Sequence, residues 1–309
     1  MAEETVEILL ASRNGAAYIR EQIDSILSQD GARWHLTLSD DGSTDGTAAI
    51  LDEYAARYPD RIARHVSGRR FGSARDHFFY LMARCDAPYM MFCDQDDVWY
   101  PGKVRKTLEA LRAIEAERGA DAPALAFCDQ RPTDEHLRPL ADSLMRYQRQ
   151  YTEGFDYRAL LMQNVVTGGA AGINRALARL AGRCLDTSRV IMHDWWVAAV
   201  AARFGKIAYI DEVLGDYRQH GDNAVGAKDV ASAKYVLGEL AGASSVRRSI
   251  LQKKAQARCF QQTYGELLGA EDGRFLGAYA RPRSGLMFYL KHRKLIHGFW
   301  RLTGLMVLG

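Results

Sequence analysis

At 309 residues, 48% of them hydrophobic and 26% charged, the chain has the apolar material for one large α/β domain or for one domain with an appendage. A formal net charge of only +3 excludes the strongly basic balance of a nucleic-acid binder, and no uninterrupted apolar run approaches the ~20 residues that span a bilayer. Five cysteines (Cys85, Cys93, Cys128, Cys184, Cys259) lack C-x-x-C spacing and a nearby histidine, so reduced thiols in a cytosolic protein are expected; with Glu3 and Glu4 leading straight into a strand, no secretory signal is expected either.

The first predicted strand, Val6 to Ser12, ends in the turn Arg13-Asn14-Gly15. Ile19, Ile23, Ile26 and Leu27 then fall at i, i+4, i+7 and i+8, the spacing of one buried helix face. Trp34 to Ser39 alternates as a second strand and empties into Asp40-Asp41-Gly42-Ser43-Thr44-Asp45-Gly46-Thr47, ahead of a helix carrying Ile50, Leu51 and Tyr54. Ser43, Thr44 and Asp45 are all good N-cap residues, and Asp45 is read as a cap. Asp40, the first residue past the strand, is the better candidate for touching a ligand. Ile62 to Val66 is a third strand. After it, Arg69, Arg70 and Arg75 stand near glycines at a loop-to-helix junction, an arrangement that suits either phosphate binding or a solvated basic loop.

Tyr89-Met90-Met91-Phe92-Cys93 is apolar throughout, as a strand buried on both faces of a parallel sheet must be. It runs directly into Asp94-Gln95-Asp96-Asp97. Three carboxylates at the end of a buried strand repel one another, and a divalent cation removes the conflict because hard oxygens suit Mg²⁺ or Mn²⁺. In extended chain Asp94 and Asp96 point one way and Gln95 the other, and ligands bind outside the carboxyl ends of such strands. One of the acids can cap the helix that starts near Pro101, but three exceed what a cap needs. That helix runs from about Lys103 to Arg118 with Val104, Leu108 and Leu111 on its apolar side, and Ala124 to Cys128 follows as a strand. The alternation of strands and helices predicts a parallel sheet with right-handed crossovers. Neither G-x-G-x-x-G nor a P-loop is present, so nucleotide binding falls to the acidic turns.

Residues 130 to 165 predict loops and a helix around Tyr157 to Met162. The segment Thr167-Gly168-Gly169-Ala170-Ala171-Gly172-Ile173-Asn174 is strand-like, and its glycines either admit a ligand or another backbone, or merely turn. Met192-His193-Asp194-Trp195-Trp196 opens a helix through Phe204, with Asp194 either facing a cleft or capping. Ile207 to Ile210 reads as a strand, and Tyr217-Arg218-Gln219-His220-Gly221-Asp222-Asn223 follows another. His220 beside Arg218 there is a metal ligand, a phosphate contact or a structural residue. Beyond about Val230 the chain becomes helix-rich and basic. Between Leu286 and Leu308, Phe288, Leu290, Leu295, Phe299 and Trp300 mix with Lys291, Arg293, Lys294 and Arg301. That make-up suits an interfacial helix on an anionic membrane, or a helix packed on the domain or on a second subunit.

In order along the chain from Val6 to about Gly226, ASRNG, SDDGSTDGT, FCDQDDVW, TGGAAGINR, HDWW and YRQHGDN resemble the family 2 glycosyltransferases of GT-A fold. The CDQDDVW form, YRQH and the KHRK-containing tail look most like the bacterial rhamnosyltransferases of that family, which build O-antigens and other surface polysaccharides. The resemblance implies an α/β fold: a GT-A-type, mostly parallel sheet with flanking helices over residues 1–229, then a helical, basic C-terminal region over residues 230–309. It implies inverting, metal-dependent transfer of a sugar to a saccharide or polyprenyl-diphosphate-linked acceptor. The first donor to consider is dTDP-L-rhamnose, the second a UDP-linked hexose.

Carried over residue by residue, the resemblance puts Asp40 on the nucleotide base, near Ser12, Arg13 and Asn14. Asp94 and Asp96 stand in the DxD positions, on ribose or on the Mg²⁺ or Mn²⁺ that bridges the diphosphate, and His220 closes on diphosphate or metal. Asp97 lies beside the donor sugar. Arg75, Gln95, Gly168, Gly169, Trp195 and Arg218 complete the nucleotide-sugar site, and Asp194 is the catalytic base. An acceptor hydroxyl attacking the anomeric carbon must lose its proton as the bond forms, which a carboxylate in reach accomplishes. Many family members have an asparagine before the third helix where this chain has Arg69, Arg70 and Asp76-His77, which leaves open which arginine touches the donor. The expected setting is cytoplasmic, peripheral on the inner face of the membrane, with a homo-oligomer as the other use of the tail. A nucleotidyltransferase is the nearest rival but expects a glycine-rich phosphate loop, which Ser12-Arg13-Asn14-Gly15 fits poorly. Retention of Asp94, Asp96, Asp97 and Asp194 together argues against a non-catalytic sugar-nucleotide-binding relative.

Overall fold

The computed structural model describes residues 5–221, 243–281 and 285–295. Among them eight strands form one sheet: β1 (Val6–Ser12), β2 (Trp34–Asp40), β3 (Ile62–His65), β4 (Tyr89–Cys93), β5 (Val98–Trp99), β6 (Ala124–Thr133), β7 (Ala171–Asn174) and β8 (Lys206–Arg218). The apolar runs become strands because both faces are covered. Along β1, Val6, Ile8 and Leu10 enter one core and Leu9 the other; along β4, Met91 and Cys93 join the first and Met90 and Phe92 the second. The first core is closed by α1 (Ile19–Leu27), α2 (Thr47–Arg57) and α4 (Lys103–Arg118), with Ile23, Leu51 and Leu108 facing inward. The second is closed by α3 (Ala74–Met82), which lies between α2 and α4 in the chain, and then by α5 (Leu144–Tyr147), α6 (Tyr157–Met162), α7 (Arg175–Ala181) and α8 (His193–Phe204).

The strand order is β3-β2-β1-β4-β7-β6-β8-β5. β1, β2, β3 and β4 run parallel, as do β6 and β8, whereas β7 runs against both β4 and β6 and β5 runs against β8. Six of the eight strands therefore point the same way, but β6 does not lie beside β4 as uninterrupted alternation would have it. The small-residue segment intervenes. A Cβ on Gly172 would stand 2.5 Å from Thr107 Cγ2, so glycine there lets α4 close on β7. The strands expected near Ile207 and before Tyr217 are one continuous β8, whose register against β6 shifts around Asp129. β5 is too short to leave a period in the sequence.

The C-terminal helices α9 (Ala243–Tyr264), α10 (Ala270–Tyr279) and α11 (Gly285–Lys291) lie on the second core. Phe260, Tyr264, Phe275, Tyr279 and Tyr289 are buried there with Trp196 and Tyr157. Of the tail singled out for a membrane or a second subunit, Phe288 packs on Phe275 and Tyr279, with ring centroids 5.6 and 5.8 Å apart. Met287, Leu290, Lys291, Arg293 and Lys294 are exposed. Residues 222 and 223 of the last motif and residues 296–309 of the tail lie outside the described residues. Among those described, no helix is long and apolar enough to cross a membrane.

Candidate active site

Parallel register sets Ser12 level with Asp40 and Leu10 level with Cys93, so the turns after β1, β2 and β4 share one edge of the sheet. Four successive amides of the first turn are already committed. Arg13 N–H donates to Gln95 Oε1 (2.8 Å), Asn14 N–H to Ser43 Oγ (2.8 Å), Gly15 N–H to Thr47 Oγ1 (2.8 Å) and Ala16 N–H to Asp45 Oδ2 (3.1 Å). Gln95 Nε2 returns a bond to Arg13 O at 3.0 Å, and Asn14 Oδ1 accepts from Thr44 N–H at 2.8 Å. Asn14 and Gln95, expected at the nucleotide-sugar, thus tie the three turns together. Asp45, read from the sequence as a cap, stands one residue before the N-cap Gly46 of α2 and accepts the Thr47 N–H at 3.0 Å.

Asp40 is half-buried and accepts from Ser12 Oγ (3.2 Å) and Ser43 N–H (2.9 Å). Asp41, which the sequence reading passed over, is buried and accepts the amides of Phe71 and Gly72, the latter at 2.8 Å. It pins the arginine loop over the second turn, where Arg70 Nη2 donates to Gly42 O at 3.1 Å and Arg69 lies 4.9 Å over the Phe71 ring. Arg75 points elsewhere: it makes a two-pronged bond to Asp76 (3.0 and 2.7 Å) and donates to Val190 O at 2.9 Å.

The acidic stretch converges with residues from distant parts of the chain. Asp96 Oδ2 lies 2.7 Å from His220 Nε2, whose ring is 4.8 Å from Tyr18. Asp97 accepts from Gln130 Nε2 (3.1 Å) and Arg218 N–H (3.2 Å). Arg218 donates through Nε to Asp96 O (2.8 Å), through Nη1 to Glu135 O (2.8 Å) and through Nη2 to Glu21, so its guanidinium braces the loop from behind. Lys103, fully buried, donates to Gly169 O at 2.7 Å, and its charge draws the Asp94 and Asp97 carboxyls back down. One lysine does not balance the cluster. Burial first, then the charges of Asp96 and Asp194, pushes the Asp94 carboxyl up to about 7; burial with Asp96 and Asp94 holds Asp97 well above the ordinary carboxylate range.

Gly168 and Gly169 stand between this cluster and Asp194. A Cβ on Gly169 would lie 2.8 Å from Asp97 Oδ2 and 3.0 Å from Asp94 Oδ2, and one on Gly168 would lie 3.6 Å from Asp194 Cβ. The Gly169 N–H is turned to Asp94 and the Gly168 N–H to Asp194, each easing its carboxylate. Asp194 sits inside the first turn of α8, past the N-cap residue Met192. Its Oδ1 accepts the Trp195 N–H at 2.6 Å and Asn164 Nδ2 lies 3.4 Å from Oδ2; burial pushes its carboxyl up to about 7. Trp195, expected at the donor, donates its ring N–H to Leu160 O.

Among the described residues no three acidic, histidine or cysteine side chains close into a ready metal cage. Asp96 and His220 come nearest, with Asp94 in the same cluster. Carboxylate oxygens and an imidazole are a donor set that suits Mg²⁺ or Mn²⁺, ions that keep water and phosphate oxygens in their other positions.

Residues 7–182 match the profile of glycosyl transferase family 2. The chain belongs to that family. A relative, the dTDP-rhamnosyl transferase RfbG of Shigella flexneri, is 28% identical over 233 residues, which cover 73% of this chain and 76% of the relative. The fold is similar to that of S. aureus TarS 1-349 solved with UDP-GlcNAc, with a TM-score of 0.55 and 12% identity over 98% of this chain and 90% of the other. It is also similar to the mannosyltransferase PcManGT from Pyrobaculum calidifontis, solved with GDP-Man and Mn²⁺, with a TM-score of 0.52 and 18% identity over 98% and 78%. The family 2 chain therefore has the GT-A fold of glycosyltransferases. The family match ends before Asp194, Arg218 and His220, so it is the fold that sets these three beside the matched turns.

Proposed function

We propose that this family 2 chain transfers a sugar from a nucleotide-sugar to an acceptor hydroxyl, with inversion at the anomeric carbon, in the synthesis of a cell-surface polysaccharide. The observation that carries the reading is Asp194 held beside the Asp94–Asp97 cluster across the Gly168-Gly169 backbone. A donor-binding acid cluster and a separate buried carboxylate are the two parts that direct displacement requires. Asp40 meets the base beside Ser12 and Arg13, Asp97 and Gly169 lie along the sugar, and Asp194 takes the acceptor proton as its oxygen closes on the anomeric carbon. The bond to the diphosphate breaks on the opposite face, so no covalent enzyme intermediate forms. Asp96, Asp94 and His220 would hold Mg²⁺ or Mn²⁺, which when bound stabilises the charge gathering on the leaving diphosphate.

A nucleotidyltransferase needs free amides after its first strand to cradle phosphate, and here all four from Arg13 to Ala16 are taken by side chains. Similarity to a dTDP-rhamnosyl transferase favours dTDP-L-rhamnose as donor, with a saccharide or polyprenyl-diphosphate-linked acceptor. Exposed Met287, Leu290, Lys291, Arg293 and Lys294 support contact with an anionic membrane surface on the cytoplasmic side. Replacing the three basic residues should weaken binding to anionic vesicles in a salt-dependent way; binding that ignores both charge and salt would leave that face to protein packing. The main test is release of free nucleoside diphosphate from dTDP-, UDP- and GDP-sugars, with and without acceptor, in Mn²⁺ and in EDTA. Metal-dependent release from one donor, raised by acceptor, is expected. No release from any donor by folded protein would refute transfer, and equal release in EDTA would refute the metal.

A further inference from the structure

We infer that Arg75 and Gln256 are positioning residues for Asp194, which they serve by gripping a single peptide group from opposite sides. The carbonyl of Val190 accepts from Arg75 Nη1 at 2.9 Å, and the N–H of Ile191 donates to Gln256 Oε1 at 2.8 Å. That carbonyl and that N–H belong to the same planar unit and point in opposite directions, so the two side chains fix its tilt between them. Neither grip is loose. The other arms of the Arg75 guanidinium are committed to Asp76, which the Ser73 hydroxyl at the N-cap of α3 holds in turn at 2.8 Å. Gln256 is fully buried on α9, and turning its amide over would set NH₂ against N–H, so only one orientation bonds.

Only Met192 and His193 separate this peptide from Asp194, and Met192 is the N-cap residue of α8. The tilt of the peptide therefore sets the direction in which the chain turns into α8, and with it the aim of the carboxylate. Neighbouring contacts run the same way. Arg189 Nη1 donates to Gln262 Oε1 at 3.2 Å, and Cys184 Sγ lies 3.8 Å from Cys259 Sγ, so one face of α9 tracks the whole approach to the base. Arg75 thereby has a different task from the donor contact expected of it, and Gln256 brings the C-terminal helices into the active site. The inference rests on the assignment of Asp194 as base.

The test uses full-length Gln256→Met, which keeps size and loses the acceptor, Gln256→Glu, which keeps an acceptor oxygen, and Arg75→Met. Hydrogen exchange across residues 190–195 is measured beside nucleoside-diphosphate affinity, kcat and acceptor KM. The two Met variants should exchange faster over residues 190–195 with β1 and β4 unchanged. They should bind nucleoside diphosphate as wild type does and lose ~10- to 100-fold in kcat, the scale of a misplaced reacting group. Gln256→Glu should recover most of that loss. Lost nucleotide affinity in Arg75→Met would make it a donor ligand instead. Faster exchange with normal kcat would reduce the grip to a structural bond, and unchanged exchange would deny the grip. Wild-type protein that releases no diphosphate from any sugar nucleotide would remove the base assignment and the positioning role together. The exchange data would then still report whether the peptide is held, so the two failures are distinct.

Discussion

Asp194 lies in the first turn of α8 and accepts the Trp195 N–H at 2.6 Å, a bond that an amide oxygen can also accept. Asp194→Asn therefore separates structure from chemistry. Folding and nucleotide affinity should persist while kcat falls by ~10² or more, the loss expected for a positioned base. Near-normal turnover would return the residue to helix capping and move the search for a base to Asp97 or His193. Because burial pushes the carboxyl up to about 7 and a base must be ionised, kcat should climb as pH passes through about 7 and level off above it. A profile flat across that range would contradict the assignment. At this scale the sequence is readable where an acid follows a strand or opens a helix, as at Asp40, Asp94 and Asp194. It is less so for their partners. Lys103 shares the buried stripe of α4 with Thr107, Leu111 and Ile114, and a lysine on such a stripe signals a buried counter-charge. Gln130 and Asn164 carry no such signal. They come from the aperiodic stretch 130–165 and reach the site only through the path of the chain in space.

Elements are legible in proportion to how much of their pattern is local. β1, β4 and β6 declare themselves as apolar runs because each is buried on both faces, and α4 because its stripe repeats over four turns. β7 gives no such sign of its direction: a four-residue strand fits either orientation, and pairing with β4 and β6 decides. The docking of α9 is equally invisible, since a basic helix reads as surface until its partners are known. In the fold Phe260 is fully buried, with ring centroids 5.6 Å from Trp196, 5.7 Å from Tyr157 and 4.9 Å from Tyr264. Phe260→Ala should therefore destabilise the chain by ~3–5 kcal/mol in urea unfolding, within one cooperative transition. A separate early transition, with the remainder as stable as wild type, would mean that the C-terminal helices are an appendage and not part of the core.

For the whole molecule, two sets of buried groups oppose each other as pH changes. Asp94 and Asp194 are raised by burial from the unfolded value of 3.8 to about 7, and Asp97 is held well above 3.8. Between these limits the folded chain holds protons that the unfolded chain has released, so their contribution to stability is whole below about 3.8 and is lost as pH rises through about 7. His77 and His193 act in the other sense. Burial lowers them to about 4 and about 3, so their contribution is present above 6.5 and lost as pH falls toward those values. Between about pH 6 and 7 the unfolded histidines still release protons and offset part of the carboxylate slope; above about 7.5 the carboxylates alone set it, about 1.4 kcal/mol per pH unit for each proton by which the states differ. In EDTA the unfolding midpoint should thus fall as pH goes from about 6 to about 8, because a cluster of buried negative charges is being created that Lys103 offsets only in part. On the proposed function Mn²⁺ would take those same ionised carboxylates, so adding it should flatten the slope and stabilise most at the alkaline end. Superimposed curves with and without Mn²⁺ would show that the cluster holds no cation in the absence of donor, and a curve in EDTA that rises between pH 6 and 7 would show that its carboxylates are already charged at pH 6, leaving only the histidines to act. The proposed metal site requires a metal-dependent slope, because its three acids would carry their charge only with the cation beside them.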